Sequence, residues 1–162
     1  MTLITAVALV GIKFFGGAHM DMADYAQYLI GTKYVWGGSS VEQGFDCSGL
    51  VNELWASQGT KPKGRFSAQE IHTMLTTGDA AKARQCVMSD GCASGVKKNS
   101  LLFFGEDTNK ITHIAIAVND TQMIEAGGEG REATTLGMVR LRAISNRSDL
   151  VAAIVMDEYL AR

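Results

Sequence analysis

The chain has 162 residues, of which 46% are apolar and 20% charged, and its net charge is −2. That length supports one domain with a substantial core rather than two, and the composition excludes an intrinsically disordered chain. No basic stripe exists to neutralise phosphates, so nothing in the charge points to nucleic acid.

Residues 1–15 are apolar apart from two threonines and Lys13, and Met1-Thr2-Leu3 lacks the positive charge of a signal-peptide n-region. Gly16-Gly17-Ala18 makes a mediocre cleavage site, and the run is shorter than the roughly 20 apolar residues of a membrane span. A packing arm, a partner-binding peptide and a membrane-contacting peptide all fit; the packing arm is the simplest. The two glycines read as a linker. The chain therefore divides into an arm and linker over 1–19 and a compact domain over 20–162.

Asp21 opens a predicted helix that runs to Ile30 and stops at Gly31, with Met22, Tyr25, Ala26 and Leu29 on one face. Tyr34-Val35-Trp36-Gly37-Gly38 is an extended aromatic segment whose glycines can let a substrate backbone approach closely. Asp46 can cap a helix reaching about Gln58, because Leu50, Val51, Leu54 and Trp55 recur at helical spacing. Lys61 to Arg65 reads as a solvated basic turn. Ser67-Ala68-Gln69-Glu70 has the form of a capping box and opens a helix to Gly78. His72, inside that helix, reads as a surface or partly packed residue without chemistry.

Residues 79–99 form a polar insertion, expected as a helix and loop, that carries Cys86 and Cys92. These two can close a small disulfide loop or stay as free thiols; zinc is disfavoured, since the spacing is not C-x-x-C and no second ligand pair follows. From Ser100 the pattern turns to strands: Leu101–Phe104, Thr112–Val118, Gln122–Ala126 after a turn at Asn119-Asp120, Met138–Leu141 and Leu150–Met156. Continuous apolar runs imply strands covered on both faces, here by the early helices. Helices first and an antiparallel sheet afterwards make an α+β fold.

Cys47 is the residue around which the chemistry gathers. A thiol in the first turn of a helix faces unpaired N–H groups and the positive end of the helix dipole, which favour the thiolate nucleophile. A cysteine nucleophile needs an imidazole to take its proton and return it to the leaving group. His113, at the start of a strong strand, is the candidate. A third group must fix the tautomer of that imidazole, and Glu125 lies on the strand that folds back beside His113.

Taken together, Tyr34-Val35-Trp36-Gly37-Gly38, Phe45-Asp46-Cys47-Ser48-Gly49-Leu50-Val51, Leu101-Leu102-Phe103-Phe104, His113-Ile114-Ala115-Ile116-Ala117-Val118 and Met123-Ile124-Glu125-Ala126 resemble the NlpC-type cell-wall peptidases of the papain-like superfamily. The likeness spans residues 25–126 in the family's order. It implies a papain-like fold with N-terminal helices packed on a central antiparallel sheet, Cys47 as nucleophile, His113 as base and Glu125 in the third position. It further implies that Tyr34 lies near the oxyanion site and that Asp46, Ser48 and Trp36 belong to the substrate groove. No metal or organic cofactor is implied. The implied reaction is hydrolysis of an amide in the peptidoglycan stem peptide, typically between D-γ-glutamyl and a diamino acid.

Two departures stand out. Asn99-Ser100 precede Leu101 where the family usually has Gly-Asp, and Glu125 replaces the usual His, Asn or Gln. Other readings are an N-acetylmuramoyl-L-alanine amidase or acyltransferase with the same dyad, and a non-catalytic structural module of a phage tail. The glycine-rich Gly127-Gly128-Glu129-Gly130 and the weak signal sequence favour a phage lysin or tail-associated hydrolase. Such a protein is extracellular or virion-associated, acts at the bacterial wall, and can contact tail proteins through its N-terminal arm.

Overall fold

A computed structural model describes residues 20–77, 85–87, 95–128 and 137–156. The arm and linker over 1–19, the Cys86–Cys92 pairing and most of the glycine-rich stretch after Gly128 lie outside the described residues. The described elements run in the order α1 (Met22–Tyr28), β1 (Ser39–Ser40), β2 (Gly44–Phe45), α2 (Cys47–Ser57), α3 (Ala68–Thr76), β3 (Gln85–Val87), β4 (Ser100–Gly105), β5 (Ile111–Ala117), β6 (Gln122–Gly127), β7 (Met138–Ala143) and β8 (Leu150–Val155).

Side-chain caps start the three helices, as their sequences require. Asp21 accepts from the Asp24 N–H, Asp46 from that of Gly49, and Ser67 and Glu70 close a reciprocal capping box. Strands β3 to β8 form one antiparallel sheet in the order β3-β8-β4-β5-β6-β7, and β1 pairs with β2 in a separate ribbon. The architecture is α+β, with the helices preceding most of the sheet. Part of the expected helix-and-loop insertion is instead a strand, since Gln85–Val87 adds to the sheet edge beside β8.

The helices cover one face of the sheet. Phe45, Leu50, Leu54, Trp55 and Ile71 are fully buried there against Leu101, Phe103, Ile114 and Ile154. Among the described residues the helices pack on this face alone, where helices were expected on both. Leu102, Phe104, Ala115, Ala117 and Met123 form a smaller cluster closed by Val96, Leu150 and Ile144, the last in a 3-10 turn over Ile144–Asn146.

Asn99 accounts for the first departure. It has φ 65°, a left-handed conformation that asparagine tolerates better than most residues and glycine adopts freely. Its side-chain oxygen also accepts the Ala23 N–H at 2.9 Å, tying the first turn of α1 to the entrance of β4. His72 departs from expectation too: it is buried, with its ring edge-on to Phe103 at 5.1 Å, and burial lowers its pKa.

The start of α2 is held by a close backbone approach. A Cβ on Gly49 would sit 1.9 Å from the Gly38 carbonyl oxygen, and one on Gly38 would sit 2.4 Å from the Gly44 oxygen. Both atoms are backbone and cannot swing aside. Gly49→Ala is therefore expected to destabilise the fold by about 3 kcal/mol, the upper range for overpacking, measured by urea unfolding; a loss within about 0.5 kcal/mol, typical of open surface sites, would show that this approach is not tight.

Candidate active site

Cys47 is the first residue of α2 and is partly exposed. The first N–H groups of a helix have no intrahelical carbonyl partner, and the cap takes only that of Gly49. Beneath the cysteine, Asp46 is buried and uses both oxygens. Oδ1 accepts from the Gly49 N–H at 2.6 Å and the Ser48 hydroxyl at 3.1 Å; Oδ2 accepts from the Gly37 N–H at 2.8 Å and from Arg65. Arg65 was expected to be merely solvated, yet it bridges Asp46 and reaches Ser48. Ser48 is buried as well, whereas Trp36 is among the most exposed large apolar residues.

His113 and Glu125 stand on neighbouring strands. The β5–β6 ladder contains only Ile116↔Ile124 and Ala117↔Met123. Continuing that register puts Glu125 opposite Ala115, with His113 two residues along the same face, within diagonal reach of long side chains. The side chains make the link: His113 Nε2 lies 2.8 Å from Glu125 Oε2. The Cys47 side chain stands near enough to the ring to influence its protonation. With Nε2 committed to Glu125, Nδ1 is the nitrogen left for sulfur.

Glu125 is almost completely buried, and β7 supplies the reason it can be. Arg140 is its direct cross-strand partner and Arg142 is that of Met123. Glu125 Oε1 accepts from Arg140 Nε at 3.2 Å, Arg140 Nη2 at 3.1 Å and Arg142 Nη1 at 3.0 Å. Burial raises the carboxyl pKa, but the His113 hydrogen bond and charge, then Arg142 and Arg140, outweigh it and bring it down to about 2. An ionised carboxylate only accepts, so His113 Nε2 must carry the donated proton. For His113, burial works against the charged ring, but nearby Cys47 and hydrogen-bonded Glu125 raise its pKa above the ordinary 6.5.

Tyr34 is buried within electrostatic reach of Cys47. Desolvation, then the Cys47 and Asp46 charges, push its pKa up to about 12, so its hydroxyl remains a donor at neutral pH. Tyr34, His113, Glu125, Gly127, Gly128 and three arginines line a pocket of about 280 Å³. Among the described residues no cluster of three metal-ligating side chains occurs. The arrangement therefore offers a nucleophile, a proton carrier held in one tautomer, and adjacent donors. Sequence reasoning missed Arg140 and Arg142; their signal was the alternation Val139-Arg140-Leu141-Arg142 in a strand that pairs with the one carrying Glu125.

The pKa of Glu125 is below its reference of 4.5, so its contribution to stability is complete above about pH 4.5 and is lost as pH falls through about 2. The pKa of His113 is raised, so its contribution is complete below 6.5 and is lost as pH rises through the folded value. Urea unfolding between pH 2 and 6 should show a steeper acid loss for wild type than for Glu125→Gln. Parallel profiles would mean that the carboxylate is not held in its ionised form.

Residues 31–144 match the model of the NlpC/P60 family. The bifunctional muramidase/DL-endopeptidase CwlT of Bacillus subtilis (strain 168) is 35% identical over 109 residues, 65% of this chain and 28% of that protein. A gamma-D-glutamyl-L-lysine dipeptidyl-peptidase of the same organism is 29% identical over 122 residues, 74% of this chain and 36% of that protein. The chain thus spans well under half the length of these relatives. In fold, it resembles the NlpC/p60 domain of the peptidoglycan hydrolase SagA (TM-score 0.60, 24% identity), covering 82% of this chain and 94% of that one. It also resembles RipD of Mycobacterium tuberculosis, a non-catalytic NlpC/p60 domain protein adapted to peptidoglycan binding (TM-score 0.56, 16% identity), over 84% of this chain and 97% of that one.

Proposed function

The chain belongs to the NlpC/P60 family, and from that premise we propose that it is a cysteine peptidase acting on the stem peptide of peptidoglycan, at the bond between D-γ-glutamyl and a diamino acid. Its relatives include a muramidase/DL-endopeptidase and a gamma-D-glutamyl-L-lysine dipeptidyl-peptidase, and it shares its fold with a domain of a peptidoglycan hydrolase. The observation that supports catalysis most strongly is the His113–Glu125 hydrogen bond, with Glu125 ionised and Cys47 beside the ring.

In this reading the Cys47 sulfur attacks the carbonyl carbon of the scissile amide while its proton resides on His113 Nδ1. The tetrahedral oxyanion is met by the Cys47 N–H at the helix N-terminus and by the Tyr34 hydroxyl. Collapse breaks the C–N bond, and His113 hands its proton to the departing amine, leaving a thioester. Water then attacks the thioester, giving its proton to His113, and the thiol leaves with a proton returned. Glu125 keeps the ring in one orientation and supports its cationic form. The same dyad is compatible with an N-acetylmuramoyl-L-alanine amidase or acyltransferase, and the bond cut separates these. A structural module without chemistry has no need of an ionised buried glutamate aligned on a histidine. The site of action is the bacterial wall; a phage lysin or tail hydrolase is one setting for it.

Purified peptidoglycan digested with wild type should yield new D-glutamyl carboxyl and diamino-acid amino termini, identified by mass spectrometry, and Cys47→Ala and His113→Ala should give none. New L-alanine amino termini would replace this reading with the amidase, and absence of new termini would contradict it. Turnover should fall from wild type to Glu125→Gln to Glu125→Ala. An amide oxygen can accept from His113 or from the arginines, but its NH2 then faces a donor, so the glutamine variant should lose about tenfold or more rather than substitute silently.

A further inference from the structure

Arg140 and Arg142 hold more positive charge than Glu125 balances. Two guanidinium groups share one carboxylate, both on its Oε1 atom. Arg140 commits Nε and Nη2 and Arg142 commits Nη1; among the described residues Arg140 Nη1 and Arg142 Nε and Nη2 make no hydrogen bond. Arg147 differs, since Asp149 takes its Nε at 2.9 Å and Nη2 at 2.6 Å. Arg140 and Arg142 retain 40% and 29% side-chain exposure, and both line the pocket that His113 opens onto. The floor there is backbone: a Cβ on Gly127 would lie 2.7 Å from Arg140 Nη2 and 2.9 Å from Glu125 Oε1. Glycine at 127 leaves room for the Arg140–Glu125 pair.

The chemistry fixes which half of a substrate this pocket meets. His113 must reach the departing nitrogen to protonate it, so the leaving residue lies on the His113 side of the sulfur. Resting on the reading of Cys47 and His113 as the hydrolytic pair, we propose that Arg140 and Arg142 form an anion subsite that binds a carboxylate carried by the amino acid on the leaving side of the scissile amide. Two sources present that group: the α-carboxylate, when the diamino acid ends the peptide, and a side-chain carboxylate, as in diaminopimelate. Paired N–H donors of a guanidinium match a carboxylate in geometry and charge. The subsite would favour stems bearing a free carboxylate there over stems in which it is amidated.

The test is binding to Cys47→Ala, which cannot turn substrate over, followed by calorimetry and by NMR of the arginine Nε–H signals. The probes are L-Ala-γ-D-Glu-L-Lys with a free terminal carboxylate, the same peptide as its terminal amide, and L-Ala-γ-D-Glu-diaminopimelate with only the side-chain carboxylate free. At least one carboxylate peptide should bind about tenfold or more tightly than the lysine amide, shifting the Arg142 Nε–H signal. The two carboxylate arms identify the source. Adding Arg142→Gln should bring the advantage to within about twofold, and Arg142→Lys should retain part of it. Equal binding of all three peptides to Cys47→Ala itself would overturn the proposal without any arginine variant, as would an advantage untouched by Arg142→Gln. Failure of the hydrolase reading shows separately, as intact peptidoglycan after treatment with wild type.

Discussion

The site depends on one carboxylate with both of its oxygens engaged. Glu125 receives one hydrogen bond from His113 on Oε2 and three from two arginines on Oε1. A lone buried carboxylate would be driven to its neutral form, because burial in a low dielectric penalises the charge. The arginines reverse that outcome, and the reversal decides the histidine tautomer. An acceptor-only Glu125 makes Nε2 the donor and leaves Nδ1 to exchange a proton with Cys47. The usual His, Asn or Gln of the family at this position orients the ring without needing such compensation. Here a glutamate in the third position comes together with two cations on the adjoining strand.

A second carboxylate does the equivalent service for Cys47, the proposed nucleophile. Asp46 joins the cap of α2, the Gly37 amide of the aromatic segment and Arg65 of the turn before α3. The thiol is thereby placed by three segments at once. The Gly38–Gly49 approach fixes how deeply the helix start sits. Placement to within a fraction of an ångström matters because proton transfer between sulfur and Nδ1 needs hydrogen-bond reach.

Much of this was legible in the sequence because local signals agreed with one another. Asp21, Asp46 and Ser67 each announce a helix start, and each caps one. Strands β4, β5 and β8 announce themselves by apolar runs. The short strand Gln85–Val87 does not, since three residues at a sheet edge carry too little periodicity to read. Arg65, Arg140 and Arg142 were opaque for another reason. Surface arginines are common, and only the cross-strand register turns two of them into the partners of a buried glutamate. What lies on the second face was not legible, because an apolar strand reports that it is covered and not what covers it. His72 packs edge-on against Phe103, thirty-one residues further along the chain, a contact that helical spacing does not announce.

The central claim is that an ionised Glu125 holds His113 in its protonated, Nε2-donating form beside Cys47. Nitrogen-15 NMR of the His113 ring across pH tests it directly, with both ring nitrogens observed in wild type and in Glu125→Ala. The ring should remain doubly protonated to a pH above the ordinary 6.5, lose its Nδ1 proton first, and titrate at lower pH once Glu125 is removed. A wild-type ring that titrates at or below 6.5, or that loses the Nε2 proton first, would contradict the account.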